Sequence, residues 1–174
     1  MTRKTTTTSI ASLAALALVA VLAAGCGGSG NGNASAAPPK TANGKPATVG
    51  VTNSGLGNIL VNSQGRTLYM FQKDMGTRSE CTGACTANWP PLRANGKPTV
   101  GSGLKASSIG TTMRSDGKPQ VTYNGHPLYL FIGDHKPGDT NGEGVNAFGA
   151  SWFALSSAGN QISAPSSSGG GNGY

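Results

Sequence analysis

Residues Val121–Asp134 read VTYNGHPLYLFIGD. Asn124-Gly125 is the strongest hairpin signal a short stretch can carry, because a type I′ turn needs φ > 0 at both central residues and Asn-Gly tolerates that. The stretch predicts a β-hairpin whose second strand ends in an acidic turn. The chain repeats itself: residues 59–74 read ILVNSQGRTLYMFQKD. Both copies end in Leu-Tyr-x-Phe-x-x-Asp, at Leu68–Asp74 and at Leu128–Asp134.

The likeness continues past the hairpin. Trp89-Pro90-Pro91-Leu92 follows the first copy and Trp152-Phe153-Ala154-Leu155 the second, so both give Trp-x-x-Leu. A repeated supersecondary unit generally cannot close its own core, so the two copies are expected to pack together. In a strand, residues i and i+2 share a face. Tyr69 with Phe71, and Tyr129 with Phe131, should therefore cover one face, with Trp89 and Trp152 across it. Burying each such ring is worth about 2–3 kcal/mol. Asp74 and Asp134 fall at strand ends, where Asp accepts hydrogen bonds from turn amides. The alternative is a carboxylate pair, brought together by the repeat, that binds a cation or a sugar.

Working outward, short Val/Ile/Thr/Tyr/Phe runs alternate with Gly, Asn, Asp and Pro, an all-β pattern. Strands are expected near 48–52, 59–62, 67–72, 108–114, 120–123, 127–132 and 152–156. The fold class is all-β, two pseudo-repeats of antiparallel hairpins packed into one compact domain. Repeat 1 covers about 48–107 and repeat 2 about 108–164.

The start of the chain has a different character. Arg3 and Lys4 precede Ile10–Ala24, which carries no charge. A basic start, a short apolar run and small residues at a cleavage point describe a secretory signal over residues 1–25. The run is too short for a bilayer span, which needs about 20 residues. Leu22-Ala23-Ala24-Gly25-Cys26 resembles the lipobox of bacterial lipoproteins, with Ala23 where that motif usually has Leu. The resemblance implies a covalent lipid on Cys26 and a place on the extracytoplasmic face of the cell membrane. Residues 26–47, rich in Gly, Ser, Asn, Ala and Pro, read as a flexible tether, and residues 165–174 as a disordered tail. The net charge of +7 includes Arg3 and Lys4. The remaining basic residues are scattered singly, and nothing resembles a nucleic-acid reader.

With Cys26 set aside, Cys81 and Cys85 form an even pair in Glu80-Cys81-Thr82-Gly83-Ala84-Cys85. Outside the cytoplasm such a pair persists as a disulfide. A redox or copper-binding pair is the alternative, with Met70, Met75, His126 and His135 as further soft or imidazole ligands. Asp139-x-Asn141-x-Glu143-Gly144 looks like the opening of a calcium loop, but the twelfth position, where a Glu belongs, is Ala150. A self-stabilising turn is the plainer reading. No Ser/His/Asp arrangement, nucleophile motif or zinc spacing stands out, so an enzyme is not expected.

The doubled Tyr-x-Phe-x-x-Asp, the Cys-Thr-Gly-Ala-Cys followed by Trp-Pro-Pro-Leu, and the run Gln120–Tyr129 through Pro137-Gly138-Asp139-Thr140 resemble the bacterial secreted-repeat lipoproteins. That family is known for a Yx(F/W/Y)xxD motif and is common in actinobacteria. The resemblance spans nearly all of Val49–Ser157. It implies a lipid-anchored extracytoplasmic β repeat and no particular activity. Glu143 departs from the family, where Gln is expected more often, and the second copy lacks the Cys pair. The expected function is a non-enzymatic envelope module that binds a wall polymer, a small ligand or an envelope protein. The alternative is a redox or metal accessory that handles copper or calcium through Cys81 and Cys85 or the acidic loops.

Overall fold

The computed structural model describes residues 45–162. The expected signal peptide, Cys26, most of the tether and the tail lie outside these residues. The elements are β1 (Thr48–Ser54), β2 (Gly57–Asn62), β3 (Tyr69–Phe71), the one-turn helix α1 (Ala84–Asn88), β4 (Thr99–Val100), a 3-10 turn (Ala106–Ser108), β5 (Ile109–Met113), β6 (Pro119–Tyr123), β7 (His126–Pro127), β8 (Asn146–Ala147) and β9 (Ala150–Ala154). They form three small sheets with strand orders β2-β1-β4, β3-β9-β8 and β5-β6-β7.

Asn124 (φ 49°) and Gly125 (φ 82°) both adopt positive φ, as the hairpin signal requires. They set the register Tyr123↔His126 and Thr122↔Pro127 between β6 and β7. In the first copy the matching hairpin follows β2, where the Leu68 amide bonds the Leu60 carbonyl at 2.9 Å as the Leu128 amide bonds that of Val121 at 3.0 Å. β1 pairs with β2 as β5 does with β6.

The two copies interlock. The Leu60 amide donates to the Leu155 carbonyl, and the Val121 amide donates to the Leu92 carbonyl, both at 2.8 Å. In return the Leu155 amide bonds Leu68 and the Leu92 amide bonds Leu128. The Trp-x-x-Leu arm of each copy therefore completes the hairpin of the other. Tyr69 and Tyr129 exchange backbone bonds of 2.9 and 3.0 Å at the centre. Sequence copy and spatial half do not coincide.

Alternation divides the interior in two. Ile59, Val61, Tyr69, Phe71 and Tyr129 join an aromatic core with both tryptophans. Leu60, Leu68, Leu128 and Leu130, the residues between, join an aliphatic core with Val49, Val121 and Leu155. A period of two places successive side chains on opposite faces, so each strand serves both cores.

The all-β reading holds, with local differences. One pairing is parallel, β1 with β4, so the sheets are not uniformly antiparallel. The strand expected over 127–132 is regular only at Pro127, the end of β7. Beyond it the Leu130 and Ile132 amides bond the carbonyls of Pro90 and Asn88. Pro90 and Pro91 have no amide to return, so a reciprocal ladder cannot form there. Likewise the strand expected over 67–72 is regular only at Tyr69–Phe71. β4, β8 and α1 are too short to leave a periodic signal in the sequence.

Candidate functional site

The aromatic core is where the repeat motif converges. Phe71 stacks on Trp152 with ring centres 4.1 Å apart and planes 9° apart. Trp152 stacks on Trp89 at 4.0 Å and 3°, and Trp89 on Phe131 at 4.3 Å and 26°. The result is a four-ring column in the order Phe71, Trp152, Trp89, Phe131. Each Phe meets the Trp of the other copy. Tyr69 meets Trp89 edge-on at 5.4 Å and Tyr129 meets Trp152 edge-on at 5.1 Å. Offset and edge contacts of this kind add about 0.5–1.5 kcal/mol per pair beyond burial.

The two hydroxyls reach across in the same swapped manner. The Tyr69 hydroxyl donates to Asp134 Oδ2 at 2.9 Å. The Tyr129 hydroxyl lies 2.9 Å from Asp74 Oδ2 and 3.2 Å from Asp74 Oδ1. The remaining carboxylate capacity takes turn amides: Glu80 N–H donates to Asp74 Oδ1 at 2.8 Å, and Asn141 N–H to Asp134 Oδ1 at 2.9 Å. Each Asp is thus bonded to a Tyr of the other copy and an amide of its own loop. Burial raises both carboxyls above their usual range, Asp74 to about 6. Burial also raises both tyrosines, with the facing carboxylate adding to it. A proton therefore stays on each hydroxyl, which acts as a donor.

Around the Tyr129 pair runs a longer network. Ser79 Oγ lies 2.7 Å from the Tyr129 hydroxyl. The Arg114 guanidinium donates to Ser79 Oγ, Gln120 Oε1 and the Cys81 carbonyl. Arg114 is 5 % exposed. Ser79 and Arg114 belong to no motif, and Gln120 opens the run that resembles the family, but nothing in the sequence pointed to this network. Around the Tyr69 pair the second loop presses close. Gly142 N–H donates to the Tyr69 hydroxyl at 3.2 Å. A Cβ at Gly142 would lie 2.8 Å from Tyr69 and 2.9 Å from Trp89, so glycine is required there.

Cys81 and Cys85 are joined, with Cα atoms 5.4 Å apart, and both are buried. The bridge anchors α1, through Cys85, just before Trp89. The acidic-loop residues turn to separate backbone groups. Asp139 Oδ2 accepts the His135 and Lys136 amides, Asn141 Nδ2 donates to the Gly133 carbonyl, and Glu143 Oε2 accepts the Ala154 amide at 2.7 Å. Those amides hold the Asp139 carboxyl below its usual range, while burial raises Glu143. Met75 is exposed, with its sulfur 3.3 Å from Arg78 Nη2. His126 is half-buried, and burial lowers its affinity for a proton. Among the described residues no group of three or more His, Cys, Asp or Glu is placed to hold a metal ion.

Taken as chemistry, the motif is a set of mutually satisfied donors, acceptors and rings. Fold and contacts define a two-repeat β domain whose copies are locked by exchanged aromatic and Tyr–Asp contacts. The chain belongs to the family described as the secreted repeat of unknown function, whose model matches residues 50–93 and 110–156, one match for each copy. No curated protein and no solved structure matches the chain. No helix among the described residues is long and apolar enough to cross a membrane.

Proposed function

We propose that the protein is a non-enzymatic module of the cell envelope, held on the extracytoplasmic face of the membrane by lipid on Cys26. There it binds or braces a wall polymer or an envelope protein. The observation that carries this reading is the fate of the repeat motif. Tyr69, Phe71, Trp89, Tyr129 and Trp152 are at most 1 % exposed, and the two Tyr hydroxyls are spent on Asp74 and Asp134. Residues so engaged build a rigid platform, which leaves recognition to the outer surface. The redox alternative has less support, since thiol–disulfide exchange depends on access and both cysteines are buried.

Fractionation of cells tests the anchored reading. Cys26→Ser should release the protein into the medium or leave an unprocessed precursor. Normal processing with unchanged membrane retention would overturn it.

A further inference from the structure

Among the described residues the outer edge of β5 has no partner where its counterpart in the first copy has one. Val51 of β1 lies opposite Leu60, and Thr111 of β5 lies opposite Val121, so Val49 corresponds to Ile109. Val49 gives its outward carbonyl to the Gly101 amide at 2.8 Å, and β4 runs parallel alongside. No backbone bond outside the β5–β6 ladder involves Ile109–Met113 among the described residues.

The register says which groups are left over. Asn124 N–H bonds the Ser108 carbonyl, and Arg114 N–H bonds the Lys118 carbonyl. Bonded and non-bonded pairs alternate along an antiparallel ladder, so the odd-numbered residues Ile109, Thr111 and Met113 aim their amides and carbonyls away from β6. Natural edges are blunted by charge, proline, a bulge or a cover. The sequence here is IGTTM, with neither charge nor proline, and Met113 is 66 % exposed.

A groove of about 400 Å³ at this edge is lined by Lys97 and Pro98 together with Ile109, Gly110 and Thr111 of β5. Its electrostatics are one-sided. All six carboxylates of the chain already have internal partners: Asp74 and Asp134 the tyrosines, Glu80 Arg78, Asp116 Arg93, Asp139 and Glu143 backbone amides. Among the described residues the salt bridges involve arginine, and none involves a lysine. Lys97, Lys105 and Lys118, all exposed, flank β5 without a counter-charge of that kind.

We infer that the β5 edge is a strand-addition site for an extended acidic segment of an envelope protein, paired through Ile109, Thr111 and Met113 with its carboxylates toward Lys97 and its neighbours. Main-chain bonds supply affinity in such a mode and side chains supply selectivity. A second copy of this chain would bring the same lysines face to face, which like-charge repulsion disfavours. The inference rests on the binding-module reading and names its partner chemistry.

Fluorescence anisotropy on the full chain in detergent micelles tests it, with a labelled peptide of alternating Thr and Glu. Binding should be saturable and weaken with salt, and the matching Thr-Lys peptide should bind about tenfold more weakly or less. N-methylation of the alternate amides along one edge of the peptide should abolish binding, and along the other edge should spare it. Thr111→Pro removes an outward amide, which an edge strand tolerates, and should weaken binding about tenfold with the melting temperature nearly unchanged. Should that variant unfold, Lys97→Glu keeps the backbone and should shift preference from the Glu to the Lys peptide. Absence of saturable binding, indifference to N-methylation, or self-association that Thr111→Pro removes would each overturn the inference. None of these results touches the Cys26→Ser fractionation, so the two readings fail separately.

Discussion

The Tyr69–Asp134 and Tyr129–Asp74 pairs are one contact built twice in different surroundings. Asp134 is 1 % exposed, and the loop after it approaches so closely that a Cβ on Gly142 would lie 2.8 Å from the Tyr69 ring. Asp74 is half-buried, and its loop is closed by a covalent bridge and a buried arginine. The reciprocal contact is common to both copies, and the loops that present it differ. One loop reaches its geometry by a cross-link, the other by lacking a side chain at a crowded point. The same contrast recurs at the ends of the ring column, where Phe71 is 1 % exposed and Phe131 is only half-buried.

That contrast is broken most forcefully at the rings. Phe71→Ala should cost about 3–5 kcal/mol, the range for a buried Phe, and Phe131→Ala about half as much. Urea unfolding of the two variants measures both. Equal losses would mean that the column ends are energetically the same despite their burial. A Phe71→Ala variant as stable as the parent would show that the column does not hold the copies together.

The parts of this arrangement that could be read in advance were local. Asn124-Gly125 marked a turn because a type I′ turn needs φ > 0 at both central residues and this pair tolerates it. Tyr-x-Phe fixed a shared face because alternation is a property of any strand. The repeat placed Trp89 and Trp152 against the Tyr and Phe face, but not against each other. The exchange between copies was not legible, because both copies spell the same Tyr-x-Phe-x-x-Asp. No local pattern can say whether Tyr69 meets Asp74 or Asp134. Arg114 was invisible for another reason. A basic residue at the end of a strand is ordinarily solvated, and only the fold brings it to Ser79, Gln120 and the Cys81 carbonyl.

Cutting the covalent link sharpens the comparison at smaller cost. A bridge that closes so short a loop contributes about 2 kcal/mol in the chain-entropy model. The double variant Cys81→Ser, Cys85→Ser should lose about that much in thermal or urea unfolding. The loss should be confined to one loop. Hydrogen exchange at the Glu80 amide, which bonds Asp74, should quicken, while the Asn141 amide, which bonds Asp134, should keep its protection. Equal quickening at both amides would show that the two loops are coupled rather than independent.

The smallest effect is a dependence on pH, and it isolates Asp74. Burial raises its carboxyl from 3.8 to about 6 in the folded chain. The folded state then binds a proton more readily than the unfolded one. Stability from this group is therefore fully present below the unfolded value and is lost as pH rises toward 6. Partial exposure screens the effect, leaving about 1 kcal/mol. Asp116 and Asp139 act in the opposite sense, since both are lowered and lose their contribution as pH falls. A difference between parent and variant removes that opposing background. Asp74→Asn keeps an acceptor for Tyr129 but cannot ionise. Unfolding free energies of the two proteins between pH 4 and pH 7 should therefore diverge, the variant gaining on the parent by about 1 kcal/mol as pH rises. A constant gap across that range would mean that Asp74 ionises as freely when folded as when unfolded, and that the Tyr129 hydroxyl and the Glu80 amide fully offset its burial.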